Sequence, residues 1–349
     1  MNANLITDSL PASSAPVNSR SRRCLQLMLA SFVVLTALFA APVASADPAV
    51  EGARVTSLVQ LDGNLWEITV HSPSMDRDIP FQLIRPAGGA GAPTLYLLNG
   101  AGGGEDGANW LAQTDAREFF ADKFVNVLIP SKGIGSYYTD WIAEDPTVGR
   151  PMWTTFLTTE LPSVIDDALA TDGRNAIAGL SMSATSVLDL AISAPGLYRS
   201  VASYSGCAQT STPLGQAAVR GIVLTASGGN ADNMWGPATS PLWVERDPYV
   251  NAEKLRGLSL YLSSGSGAAG RYDTPESQAP GAPPVENQII VGGALEAATR
   301  YCTEAMADRL RELDIPAEIH LPTEGTHSWL YWQDELHRSW PTIEAGLLG

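Results

Sequence analysis

An α/β fold, with a central, mostly parallel sheet and helices on both faces, is predicted by three observations in this chain of 349 residues. The first part alternates apolar and polar residues at period two. The later part alternates short, wholly apolar runs with stretches of helical periodicity, and no repeat, low-complexity tract or long polar linker divides the chain. Period-two alternation marks strands with one wet face, whereas short apolar runs bounded by turn residues mark strands buried on both faces of a parallel sheet. Strands that alternate with helices along the sequence pack as a sheet between helical layers.

The elements follow in order. Residues 55–61 and 65–70, joined at Asp62-Gly63, read as a hairpin, and 81–84 adds a third strand. Beyond the Gly/Pro-rich break at 86–93, residues 94–98 and 125–129 read as buried strands, with a helix over 115–124 between them. Helix is expected over 153–169, strand over 176–178, helix over 182–192 and strand over 200–204. Strands at 258–263 and 317–321 and helices over 295–313 and 329–348 complete the pattern. Residues 209–256 and 265–294, rich in Gly, Ser and Pro, are expected to be long irregular insertions over the functional site, since long ordered loops usually serve one.

Composition is that of a globular protein, with 45% hydrophobic and 17% charged residues. The net charge of −16 argues against a nucleic-acid partner, because phosphate binding needs clustered cations. Residues 1–46 read as a signal peptide: Arg20, Arg22 and Arg23, then an uncharged apolar run over 27–41, then Ala44-Ser45-Ala46, a pattern that signal peptidase accepts. The apolar run is shorter than the roughly 20 residues a membrane span needs, so no stable transmembrane segment is expected after processing. Residues 47–349 are then a single exported domain with a charge of −18, since the leader removes three arginines and Asp8. Cys24 leaves with the leader; Cys207 and Cys302 remain as an even pair in an oxidising compartment and are expected to form one disulfide.

Gly179-Leu180-Ser181-Met182-Ser183 lies between an apolar strand and a helix, where a nucleophile elbow requires small neighbours two residues before and after the serine. The helix start aims the Met182 N–H at an oxyanion formed on an acylated Ser181. Of the four histidines, His71 precedes Ser181, His320 lies in a strand and His337 on a helix. His327, in the loop between the last strand and the last helix, is the expected base. Asp273, Glu276, Glu286 and Glu296 are the candidates for the acid, with Glu296 favoured by position, at the edge of an apolar stretch. Asp273 and Glu276 read as solvated loop carboxylates. The run Asn99-Gly100-Ala101-Gly102-Gly103-Gly104 follows a buried strand and can supply a second oxyanion donor from Ala101; its spacing fits no phosphate-binding loop. The remaining histidines and cysteines form no ligand cluster, so no metal or cofactor is expected.

From about Val70 to Leu348 the chain resembles the antigen-85 and corynebacterial mycolyltransferase family, a branch of the esterase-like α/β-hydrolases. The resemblance is carried by His71-Ser72-Pro73-Ser74-Met75, Tyr138-Thr139-Asp140-Trp141, Glu160-Leu161-Pro162, Gly179-Leu180-Ser181-Met182, Met234-Trp235-Gly236-Pro237 and Gly325-Thr326-His327-Ser328-Trp329, in one order. It implies an α/β-hydrolase fold, Ser181 as nucleophile, His327 as base, Glu296 as acid, and Ala101 and Met182 as oxyanion donors. Trp110, Ser328 and Trp329 fall at positions that line the family's sugar and acyl site. Asn99 and Gly100 stand where mycobacterial members begin Asp-Gly-Leu-Arg, so a carboxylate and a guanidinium toward trehalose are missing. The implied activity is transfer of a mycolyl group from trehalose monomycolate to trehalose, arabinogalactan or another sugar acceptor, without a cofactor, by an exported enzyme of the cell envelope. A secreted carboxylesterase with the same triad, or a binding protein that keeps the fold, are the rival expectations.

Overall fold

The computed structural model describes residues 52–278 and 284–349. The expected signal peptide and its cleavage point lie outside the described residues. A nine-stranded sheet runs in the order β1-β2-β3-β5-β4-β6-β7-β8-β9. β1 (Arg54–Asp62), β2 (Leu65–Ser72) and β3 (Arg77–Ile84) are antiparallel neighbours, and β3 also meets β5 (Asn126–Pro130) antiparallel. β5, β4 (Thr94–Leu98), β6 (Asn175–Leu180), β7 (Tyr198–Tyr204), β8 (Ser259–Ser263) and β9 (Glu318–His320) pair in parallel. The fold is therefore α/β with a mostly parallel sheet, and the strands arise where the hydrophobic pattern places them. Every residue of β4, β5 and β6 is buried, which is why these segments, past a polar first residue in each (Thr94, Asn126 and Asn175), are apolar rather than alternating.

Five helices of nine residues or more occur among the described residues: α1 (Leu161–Leu169), α2 (Met182–Ser193), α3 (Pro213–Ser227), α4 (Gly293–Glu312) and α5 (Trp329–Leu348). Successive strand residues alternate between two cores. Tyr96, Leu98, Ile177, Val201 and Leu262 pack with residues of α1 to α4, whereas Leu95, Leu97, Ala178, Ala202 and Tyr261 pack with Trp110, Phe120 and the inner face of α5. Helices thus cover both faces of the sheet.

Three expectations are corrected. The helix expected over 115–124 shortens to Ala116–Phe119, with a separate turn at Trp110–Gln113. Residues 153–169 are helical but pass through a π turn at Phe156–Glu160, just before Pro162, whose ring and missing N–H disfavour an unbroken α-helical ladder. Residues 209–256 are not irregular, because they contain α3. Thr212 caps it by accepting the Gly215 N–H at 3.0 Å, Pro213 occupies its first turn, and Gly228 ends it at φ +72°. In the described part of 265–294, residues 265–274 are loop, short helical turns form at Pro275–Ser277 and Val285–Asn287, and a π turn at Gln288–Gly292 runs directly into α4.

Candidate active site

The site forms at the carboxyl ends of the central parallel strands, where the chain leaves β4, β6, β7 and β8 and where open α/β sheets bind their ligands. Ser181 connects β6 to α2 with φ +55° and ψ −120°, a left-handed conformation that costs of order 1–3 kcal/mol in a residue bearing a Cβ. The turn closes only around small neighbours. A Cβ on Gly179 would lie 2.5 Å from Ser183 Oγ, and one on Gly206 would lie 2.6 Å from the Ala184 Cβ. The Ser181 N–H is taken by the Tyr204 carbonyl at 2.8 Å.

His327 Nε2 lies 2.8 Å from Ser181 Oγ, and His327 Nδ1 lies 2.7 Å from Glu296 Oε2. The second carboxylate oxygen, Oε1, accepts from Ser205 Oγ at 2.7 Å, Ser264 Oγ at 3.0 Å and the Gly265 N–H at 2.6 Å. Burial pushes the Glu296 carboxyl up, but hydrogen bonding and charge from His327, with the Ser205 and Gly265 donors, outweigh it and hold the group below the ordinary glutamate range. An ionised Glu296 only accepts, so His327 carries its proton on Nδ1 and offers Nε2 to the serine hydroxyl. The edge of the Trp332 indole stands against the imidazole, with ring centroids 4.8 Å apart, and its Nε1–H donates to Ser205 Oγ at 3.0 Å. Together these groups can remove a proton from Ser181 and stabilise the imidazolium that results.

Met182 begins α2, immediately after Ser181, so its N–H has no acceptor within the helix. Gly100 brings the glycine-rich loop beside Ser181, since a Cβ there would lie 3.6 Å from the Ser181 Cβ; the Ala101 carbonyl is held by the Gly135 N–H at 2.9 Å. A cavity of about 820 Å³ adjoins His327 and is lined by Gln113, Gln278, Asn287, Leu295, Ser328 and Trp329, among others. Segment 265–294 contributes to this wall, whereas no residue of 209–256 does.

The structure corrects three of the expected substrate contacts. Asn99 is 1% exposed, and its side chain is used within the fold: Nδ2 donates to the Pro130 carbonyl at 2.9 Å and Oδ1 accepts the Trp110 N–H at 3.3 Å. Gly100 is buried, packed against Leu180. Trp110 is fully buried, donates its indole N–H to the Leu98 carbonyl and meets the edge of Trp329 at 5.7 Å, so it supports the cavity wall from beneath. Asp273 is not a solvated loop carboxylate but accepts four hydrogen bonds beside the His327 loop. Ser205, Ser264, Gly265 and Trp332 were not singled out by the sequence. The one legible sign of Ser205, Ser264 and Gly265 is that small residues follow the carboxyl ends of two adjacent parallel strands, β7 and β8.

Cys207 and Cys302 are disulfide-bonded, with their Cα atoms 4.9 Å apart. The bridge joins the segment just past Ser205 to the helix that carries Glu296. No group of three or more His, Cys, Asp or Glu among the described residues is arranged to hold a metal ion, and no described helix is long and apolar enough to cross a membrane.

A sequence profile of the putative esterase family matches residues 72–343. The diacylglycerol acyltransferase/mycolyltransferase Ag85A of Mycobacterium leprae (strain TN) is 32% identical over 292 residues, covering 80% of this chain and 82% of the relative. The corresponding Ag85B of Mycobacterium avium is 32% identical over 296 residues, with 80% and 82% covered. Among solved structures, MPT51 of Mycobacterium tuberculosis superposes with a TM-score of 0.67 at 23% identity, covering 83% of this chain and all of that one. An S-formylglutathione hydrolase from Agrobacterium tumefaciens gives 0.58 at 15% identity, over 83% and 98%. With the sheet order and the serine turn already in place, these likenesses assign the fold, and the sequence identities assign the family: this chain belongs to the antigen-85 mycolyltransferases, within the esterases of α/β-hydrolase fold.

Proposed function

We propose that this chain is an exported serine acyltransferase that moves a mycolyl group from trehalose monomycolate to trehalose or to cell-wall arabinogalactan. The observation that carries the reading is the unbroken hydrogen-bonded line from Ser181 through His327 to Glu296, with His327 lining a cavity that also presents side-chain amides and Trp329. Ser181 Oγ attacks the ester carbonyl while its proton passes to His327 Nε2. The Met182 and Ala101 N–H groups receive the oxyanion of the tetrahedral intermediate. Collapse expels the sugar alkoxide, which takes the proton from His327, and leaves the acyl group on Ser181. An acceptor hydroxyl then attacks the acyl-enzyme carbonyl and gives its proton to His327; as the second tetrahedral intermediate collapses, the bond from Ser181 Oγ to the acyl carbon breaks, His327 returns the proton to Ser181 Oγ, and the acceptor departs as the new ester. Glu296 stays ionised throughout and holds the imidazolium.

The test is product analysis with trehalose monomycolate or a short-chain trehalose monoester, with and without added trehalose, beside Ser181→Ala. Diester that depends on Ser181 is expected. Free fatty acid as the sole product would replace transfer with hydrolysis by water, and no turnover of either kind would sink the enzymatic reading.

A further inference from the structure

We infer that Asp273 is a positioning residue for His327, acting through Thr326. The inference rests on the reading of Ser181, His327 and Glu296 as the reacting groups. Asp273 Oδ1 accepts from Thr326 Oγ1 at 2.5 Å and Gln288 Nε2 at 2.7 Å; Oδ2 accepts from the Gly270 N–H and the Tyr331 hydroxyl, both at 2.7 Å. Thr326 immediately precedes His327, and Tyr331 lies in the first turn of α5, just after it. Gln288 opens the π turn whose last carbonyl, that of Gly292, accepts the His327 N–H at 3.2 Å. A single carboxylate therefore ties down the chain on both sides of the base and the segment that leads into the Glu296 helix.

The demand on this tie is geometric. The imidazole must hold two hydrogen bonds at once, 2.8 Å to Ser181 and 2.7 Å to Glu296, and a displacement of about 1 Å at a reacting group costs up to about 100-fold in rate. The backbone of the His327 loop has its own anchor one step earlier, where Gly325 exchanges hydrogen bonds with Gly267 and Ala268. Between that anchor and the His327 N–H, the Thr326 side chain is buried, and the Asp273 carboxylate is its partner. All four groups facing Asp273 have hydrogens to give, so the position calls for an acceptor-only side chain, which an ionised carboxylate is and an amide is not. Burial pushes the Asp273 carboxyl up, but the donors from Thr326, Gln288, Gly270 and Tyr331 outweigh it and hold the group ionised.

The experiment compares the whole protein with Asp273→Asn, Thr326→Val, Thr326→Ser, the Asp273→Asn/Thr326→Val double variant and Ser181→Ala. It measures kcat and KM on a short-chain trehalose monoester, each well below that variant's melting temperature. Asp273→Asn and Thr326→Val are expected to lower kcat about 10- to 100-fold with KM changed less than about 2-fold. Thr326→Ser, which keeps the hydroxyl, is expected to retain kcat near that of the wild type. Since both residues act through one link, the double variant is expected to be no slower than the slower single variant. A wild-type kcat in Asp273→Asn, a loss confined to KM, or losses that multiply in the double variant would overturn the role. If Asp273→Asn does not fold, the contrast between Thr326→Val and Thr326→Ser decides alone, and equal kcat in those two overturns it. Wild-type protein without turnover, or Ser181→Ala with wild-type turnover, overturns the reading of the site itself and the Asp273 role with it.

Discussion

Glu296 is a buried carboxylate whose two oxygens do different work: one faces the imidazole and the other takes three donors from the ends of two strands. Replacing it with Gln keeps the volume but removes the charge and offers an N–H where an acceptor is needed. Glu296→Gln is expected to lower kcat by about 1,000- to 10,000-fold, measured by steady-state hydrolysis of a chromogenic ester. The sign of its pH effect follows from the lowered carboxyl pKa. Folding gains stability from this group above its unfolded value of about 4.3, and the gain is lost as pH falls through the lower folded value. Melting curves of wild type and Glu296→Gln should therefore differ at pH 7 and converge in acid; a gap that is constant with pH would contradict the assignment. Ser181 and His327 were legible in the sequence because each sits in a local pattern, a small-x-Ser-x-small turn and a loop between the last strand and the last helix. Asn99 and Trp110 were misread for a physical reason: a polar amide beside glycines and a large aromatic near a site look the same in sequence whether they face the cavity or brace it from behind.

At the scale of elements, strands were the most legible feature, because burial on both faces of β4, β5 and β6 imposes an apolar run after the first residue of each. α3 was not, although Thr212, Pro213 and Gly228 mark its ends, because its outer face carries exposed Leu214 and Leu224 and so blurs the helical periodicity. The π turns at Phe156–Glu160 and Gln288–Gly292 have no signature in periodicity at all. The segment around α3 is tied back to α2 by a charged contact, Arg246 Nη1 to Asp189 Oδ2 at 3.6 Å. Burial pushes the Asp189 carboxyl up to about 6, against the pull of Arg246, so the folded state binds a proton more readily than the unfolded chain does. Stability contributed by the protonated form is full below the unfolded value of about 3.9 and is lost as pH rises through about 6. Asp189→Asn makes that neutral state permanent, and Arg246 keeps Ser193 Oγ as an acceptor at 2.8 Å. The variant should melt higher than wild type at pH 7, by an amount that shrinks toward zero near pH 4; calorimetry across that range checks it, and a lower melting temperature at pH 7 would show that the ion pair outweighs its desolvation.

Over the whole molecule, Ser181, Glu296 and His327 come from parts far apart in the chain, and the Cys207–Cys302 bridge closes a loop that holds Glu296 alone of the three. Its sequence separation of 95 encloses α3, β8 and the loop bearing Asp273, and it ties the end of β7 to α4. Two of the donors that fix Glu296, Ser205 and Gly265, leave β7 and β8, so the bridge holds the acid-bearing helix against the strands that orient its carboxylate. A cross-link over a loop this long restricts the unfolded chain, typically stabilising the fold by about 2–4 kcal/mol. Paired Cys207→Ser and Cys302→Ser substitutions, or reduction verified by mass, should therefore lower the melting temperature by several degrees, and the reductant should have no effect on the paired serine variant. The loss should also appear in kcat before global unfolding, because the joint that the bridge braces is the one between β7 and the Glu296 helix. Reduced protein that melts and turns over like the oxidised form would place the bridge outside both the stability and the alignment of the site.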